Sequence, residues 1–349
     1  MQPPPFRIRE VVVMKGFAKY YGKRLIWYLV TLVIAVFLNF MLPRLMPGDP
    51  ISQLVSSAAA GVTDMNAYQK IVDQYTKEFG MDKPLIQQFF IYVGNLFKGN
   101  LGVSFAQYPK TVATIIKESI GWTLALQIPA LIVGWILGNV LGAVAAYMRK
   151  GWDKAVLPFF LFISNTPAFG LALVFVTYLA VKAGWFPVGR GYGSQFATPV
   201  ASMEFVASVL KHYQLPFWTM VLISIGGQAI GMRSMSIYEL NTDYVKYSRF
   251  LGIKDRKIVM YVFRNAMLPQ ITGLAMSLGS SVGGNLVAES IYSYPGIGSQ
   301  MLKAISARDY PTLSACTLMI TIMVLIANVV VEFLYAVVDP RIKAAQQDG

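Results

Sequence analysis

Few side chains in this sequence are suited to covalent chemistry. His212 is the only histidine and Cys316 the only cysteine, so an intrachain disulfide or a Cys-based metal site is excluded. His212 stands just before Pro216 at the start of an apolar run and reads as an interfacial polar residue. Cys316, inside another run, reads as small apolar packing. Gly189, Gly191 and Gly193 have phosphate-loop spacing, but they lack a strand–turn–helix context. No GxxxxGK[ST] occurs anywhere, so the chain has no P-loop with which to bind ATP. Nothing resembles a nucleophile–base pair, a two-carboxylate hydrolase site or a metal cluster. The expectation is a protein that is not an enzyme and binds no cofactor itself.

The polar residues that invite a functional question sit in apolar surroundings. Of the 349 residues, 55% are hydrophobic and 13% charged, and the mean hydropathy is +0.52. Soluble domains carry about 25% charged residues, so this chain is suited to a bilayer. Six apolar runs can span about 30 Å as helices: Leu25–Leu42, Ser119–Tyr147, Ala155–Ala183, Leu215–Ile237, Ala266–Ile291 and Leu313–Val338. Within them lie Gln127, Asn139, Asn165, Gln228, Asn285, Glu289, Asn328 and Glu332. Each is costly in lipid unless paired or facing water. Two readings stay open at each site, a hydrogen bond between helices or a place on a solute path. The path candidates are Gln228, Asn285, Glu289 and Asn328.

The formal charge of +13 is an orientation signal rather than a nucleic-acid footprint. Arg7, Arg9, Lys15, Lys19, Lys23 and Arg24 precede the first run, and Arg149, Lys150 and Lys154 separate the second from the third. Arg233, Lys246, Arg249, Lys254, Arg256, Lys257 and Arg264 lie around the join of the fourth and fifth, and Arg341 and Lys343 follow the last. If each run crosses once, all fall on one side, which the positive-inside rule makes the cytoplasm. Both termini are then cytoplasmic. The first run is too long for a cleavable signal and reads as an anchor.

This divides the chain into a cytoplasmic segment 1–24, a first span 25–42, an outer helical segment 43–118, a core of five spans over 119–338 with a cytoplasmic loop 238–265, and a cytoplasmic tail 339–349. In the outer segment, Tyr68, Ile71, Val72, Tyr75 and Phe79 have helical spacing before Gly80. "DKPLIQQFFIYVGNLFKG" predicts a second helix, too short to span, that either lies at an interface or docks. A small packed cap is the plainer reading. Inside the spans Gly134, Gly138 and Gly142, Gly227 and Gly231, and Ala275, Gly279 and Gly283 recur every fourth residue. Such spacing permits close helix approach, within one subunit or against a second, similar one.

One charged stretch interrupts the apolar pattern: "DYVKYSRFLGIKDRKIVMYVFRNAMLP", Asp243–Pro269. Tyr244, Tyr247, Phe250 and Leu251 recur at helical spacing, with Lys246, Arg249 and Lys254 around them. Gly252 ends this helix, Asp255 can cap the next, and Pro269 permits a kink at membrane entry. A helix with exposed aromatics on the cytoplasmic face is a candidate docking element.

This stretch resembles the coupling (EAA) loop of permease subunits in bacterial ATP-binding-cassette (ABC) importers, specifically the dipeptide, oligopeptide and nickel family. The resemblance extends through "LPRLMPGDP", "FGMDKPLIQQF", "GNLGVSF", "WFPVGRG", "ESIYSYPGIG", "ARDYP" and "DPRI" in family order. The family's Glu-Ala-Ala is here Lys246-Tyr247-Ser248. The resemblance implies an all-α integral membrane protein with six transmembrane helices, in the type I ABC importer permease (MetI-like) fold, in the bacterial inner membrane. It implies pairing with a second homologous permease, as a heterodimer, and with two ABC ATPases that bind ATP and Mg, and delivery of solute by an extracytoplasmic binding protein. Asp243, Tyr244, Tyr247, Arg249, Phe250, Gly252, Arg264, Asn265 and Pro269 would then couple to an ATPase. The cargo would be dipeptides or oligopeptides, with oligosaccharides as the alternative. One His and one Cys disfavour nickel, and an ion-coupled transporter would require internal repeats that are not visible.

Overall fold

The computed structural model describes residues 5–45, 65–78, 80–148, 152–284 and 286–338. The PGDP segment, Asn285 and the tail 339–349 lie outside them. The helices are α1 Pro5–Arg44, α2 Met65–Glu78, α3 Leu85–Phe97, α4 Val112–Met148, α5 Trp152–Asn165, α6 Ala168–Phe175 with a π-helical continuation Val176–Lys182, α7 Met203–Leu240, α8 Asp243–Phe250, α9 Asp255–Gly284, α10 Leu286–Ile291, α11 Ile297–Ser306 and α12 Tyr310–Val338. The chain divides into two compact units, Met1–Ile116 with Lys303–Gly349, and Lys117–Leu302.

In the first unit α1 packs on α12, where the buried Ser314 hydroxyl donates to the Asn39 carbonyl at 2.9 Å. α2 buries the face its sequence displays, with Tyr68, Ile71, Val72 and Tyr75 gathered around Met81. Asp309 fastens the loop around Ser104 to the start of α12. Its buried carboxylate accepts from the Ser104 hydroxyl, from the Phe105 amide at 3.1 Å and from the Thr312 hydroxyl at 2.8 Å. The "ARDYP" motif is thus a helix start whose acid also satisfies a distant loop.

In the second unit, α4 and α7 approach backbone to backbone. A Cβ on Gly134 would lie 2.5 Å from that of Ser224, one on Gly138 2.6 Å from that of Gln228, and one on Gly142 2.3 Å from the Ala229 carbonyl oxygen. The glycine stripe of α4 is therefore used within the subunit. Gly226 of α7 likewise sits against the Ser164 amide of α5, and the Trp135 indole of α4 donates to the Gln270 carbonyl of α9 at 3.1 Å.

Among the described residues four helices are long and apolar enough to cross a membrane: Leu25–Arg44, Val112–Met148, Met203–Leu240 and Tyr310–Val330. A fifth results if Val156–Asn165 and Ala168–Lys182, bent by 102°, form one span. The expected continuous third helix is thus broken. Pro167 has no amide hydrogen and disfavours helical backbone at Thr166. The carbonyls left at the end of α5 are taken by side chains: Asn165 donates to Leu161 at 2.7 Å and Thr166 to Phe162 at 2.8 Å. The expected fifth span falls on α9 and α10. Pro269, Gln270 and a run of glycines and serines dilute its apolar content.

The glycine stripe carries a direct expectation. Gly142→Ala forces α4 off the α7 backbone and should cost about 1–3 kcal/mol. Gly227→Ala meets open space and should be neutral or stabilise by up to about 1 kcal/mol. Thermal unfolding of the purified complex distinguishes the two.

Candidate coupling site

α8 has eight residues, too few to hold together alone. Tertiary contact supplies what length does not. Val245 is fully buried and packs with Ile258 and Val262 of α9, flanked by Leu240, Tyr244 and Ile253. One valine thus anchors the short helix to the helix that follows.

Local hydrogen bonds hold the chain on either side of the helix. Thr242 precedes the helix and its hydroxyl donates to the Glu239 carbonyl at 2.6 Å. At the other end Gly252 adopts φ +70°. Its amide donates to Arg249 at 3.0 Å and that of Ile253 to Ser248 at 3.1 Å, the paired bonds of a Schellman cap. A Cβ on Gly252 would meet nothing within 4 Å. The requirement for glycine is conformational, not a matter of space. α9 then opens at Asp255, an acid in the first turn where the helix dipole favours it.

The aromatic set separates into two roles. The Tyr244 hydroxyl turns inward and donates to the Glu239 carboxylate at 2.8 Å, with Asn265 a second side-chain partner. Burial first, and then the bond to Glu239, raise its pKa above the ordinary tyrosine value. Tyr244 therefore remains a donor at neutral pH. Tyr247, Phe250 and Leu251 point away and are 66%, 85% and 78% exposed. Lys246 pairs with Asp243 at 3.0 Å, with both side chains in water, an interaction of little consequence for stability. Arg249, Arg264 and Pro269 are exposed as well. The apolar spacing that marked Tyr244 did not separate it from Tyr247, and Val245 and Glu239 were not singled out. A valine between two tyrosines was the available signal for the anchor. The reach of Tyr244 back to Glu239 required the fold.

Gln228 is half-buried on α7, facing Gly138. Asn328 is half-buried on α12, in the first unit. Asn285 lies outside the described residues, as does the side chain of Glu332. Glu289 has 0% exposure. It accepts from the Gly298 amide at 2.9 Å, the Gln127 amide group at 3.2 Å and the Thr123 hydroxyl at 3.3 Å. Thr123 in turn accepts from the Ile297 amide at 2.8 Å. A Cβ on Gly296 would lie 2.2 Å from the Glu289 carboxylate. The glutamate of "ESIYSYPGIG" is therefore folded back onto the glycines of its own motif. Asn139 and Asn165 donate to carbonyls of their own helices, Trp135 at 2.8 Å and Leu161 at 2.7 Å. Gly189 and Gly191 admit the Tyr292 carbonyl and the Pro295 ring, so the glycine run packs against that same motif.

An aromatic, cap-terminated helix joined to a long following helix was the element that marked the resemblance to importer permeases. Residues 138–344 match the binding-protein-dependent transport system inner membrane component family. The chain belongs to that family. Its relatives include a candidate peptide permease of Brucella ovis, 33% identical over 93% of this chain and 99% of its own. The dipeptide transport system permease protein DppB of Lactococcus lactis subsp. cremoris is 30% identical over 93% and 99%. The glutathione transport system permease protein GsiC of Escherichia coli is 29% identical over 93% and 98%. The matched region of this inner membrane component includes α8 and its anchor, and excludes the whole of Met1–Ile116.

If conformation alone demands glycine, Gly252→Ala should lower protection of residues 243–253 in hydrogen exchange by about 1–2 kcal/mol. Gly252→Asn should cost less, because asparagine tolerates left-handed backbone. Equal loss for both would contradict the cap assignment.

Proposed function

We propose that this chain is one of two permease subunits of an ATP-driven importer of dipeptides and oligopeptides, and that α8 seats in a cytoplasmic ATPase. The observation that carries the reading is the division of labour on α8. Tyr247, Phe250 and Leu251 face outward, while Val245 ties the helix to α9. A partner that binds the outer face grips a short helix bonded to a span. Arg249 supplies a charged contact, and Arg264 and Asn265 steady the loop at the membrane end.

In this reading six spans cross the inner membrane with both termini in the cytoplasm and segment 43–118 outside. A homologous permease completes the pathway as a heterodimer. Two ATPases bind ATP and Mg, an extracytoplasmic binding protein delivers the solute, and this chain holds no cofactor. Closure of the ATPase pair displaces α8, the Val245–Ile258–Val262 contact transfers the displacement to α9, and the path alternates between its two openings. Gln228, Asn285, Glu289 and Asn328 are the proposed path residues, and Glu289 also holds the 294–298 loop in place. The relatives, which are peptide, dipeptide and glutathione permeases by name, favour peptide cargo over oligosaccharide.

The test is the reconstituted complex. Phe250→Asp and Arg249→Glu should leave the chain in the membrane while uptake falls by at least about tenfold, the effect of losing roughly 1.4 kcal/mol or more at an interface hot spot. Unchanged uptake, or a tagged chain that captures no ATPase, would refute the assignment. Titration of the binding protein with peptides and with oligosaccharides decides the cargo.

A further inference from the structure

α3 presents an apolar face that no described residue of its unit covers. Ile86, Phe90 and Phe97 recur on one side at helical spacing, and all are exposed, Phe97 by 90%. The other side is used. Phe89 packs edge-on against Phe40 and Phe37, with ring centroids 5.2 and 5.9 Å apart, and Tyr92 lies 5.5 Å from Phe40. Arg44 donates to the Gln88 side chain at 3.2 Å. These contacts fall on Gln88, Phe89 and Tyr92, within one and a half turns of α3, so the two helices cross rather than run alongside.

The contact with Phe37 fixes a depth. Phe37 belongs to the Leu25–Arg44 span and precedes Arg44 by seven residues, about 10 Å along the axis. A helix touching that ring cannot stand clear of the membrane surface at the Arg44 end. It lies at the boundary of headgroups and acyl chains, the 5–10 Å depth at which amphipathic helices settle. The sequence of α3 fits that place. Between Leu85 and Phe97 there is no charged residue, whereas Lys83 and Lys98 flank the helix. Both lysines are exposed, and each can extend its ammonium to the phosphate layer from a partly buried stem.

We propose that α3 is an interfacial helix, with Ile86, Phe90 and Phe97 sunk in lipid where α1 leaves the bilayer. The occupant of this face is lipid and not the soluble binding protein, because the contact with α1 places it at acyl-chain depth. The proposal rests on Leu25–Arg44 being a membrane span.

The test uses the whole importer complex in nanodiscs of phosphatidylethanolamine and phosphatidylglycerol, with single nitroxide labels at Phe90→Cys and Phe97→Cys. Val33→Cys, exposed in mid-span, is the lipid reference and Lys77→Cys on α2 the water reference. Unsubstituted protein reports any labelling of the buried Cys316. The ratio of oxygen to nickel-chelate accessibility at 90 and 97 should be several-fold above that at 77 and below that at 33. A ratio equal to that at 77 overturns the proposal, as does exclusion of both reagents, which would mean a protein covers the face. If Val33 also reads as aqueous, the span and the interfacial helix fall together. A shortfall at 90 and 97 alone removes only the latter.

Discussion

A carboxylate with no access to solvent imposes the tightest constraint on this molecule. Burying Glu289 is tolerable only if its oxygens are satisfied from inside, and three donors surround it: Thr123, Gln127 and the Gly298 amide. Two come from α4 and one from the start of α11. The side chain thereby binds a helix to a loop far along the chain. It also dictates the glycines at 296 and 298, since any Cβ there would strike its oxygen. The Gly189–Gly191 segment then packs on the same motif through Tyr292 and Pro295. Motifs that look independent in the sequence are parts of one arrangement.

The first unit repeats the device with different residues. Asp309 is buried and satisfied by Ser104, the Phe105 amide and Thr312, and it holds the loop around Ser104 to the beginning of α12. In both units an acid placed beside a helix start collects backbone and hydroxyl donors. The advantage is local: an amide at a helix start has no intrahelical partner, so a carboxylate there meets a need that already exists. Among the described residues neither carboxylate forms an ion pair.

What could be read from the sequence follows how far each determinant reaches along the chain. α8 and Gly252 were legible because a Schellman cap spans only six residues and its left-handed position calls for glycine. The amphipathic face of α2 was legible for the same reason. The break between α5 and α6 was not. Thr166-Pro167 was visible, but the apolar run around it argued for continuity, and only capture of the last carbonyls by Asn165 and Thr166 makes the break tolerable. Polar residues at depth were correctly noticed and left ambiguous, because their partners lie far off in sequence. Glu289 finds Gln127 across more than half the core, whereas Asn139 turns to a carbonyl four residues away. The spacing of Gly134, Gly138 and Gly142 announced a close contact without naming its partner, and α7 proved to be that partner. The difference between Tyr244 and Tyr247 was out of reach, because both satisfy the same periodicity.

The meeting of α4 and α7 has a mechanical consequence. Where a carbonyl of one helix fills the space of a missing side chain on the other, no flexible group lies between them to yield. Sliding by one residue would drive Ala229 or Ser224 into the Cβ-bearing neighbours of each glycine. The pair is therefore keyed in register over three successive turns and can only travel as one piece. Any movement that displaces α4 would therefore carry α7 with it, which makes the pair the stiff part of the second unit.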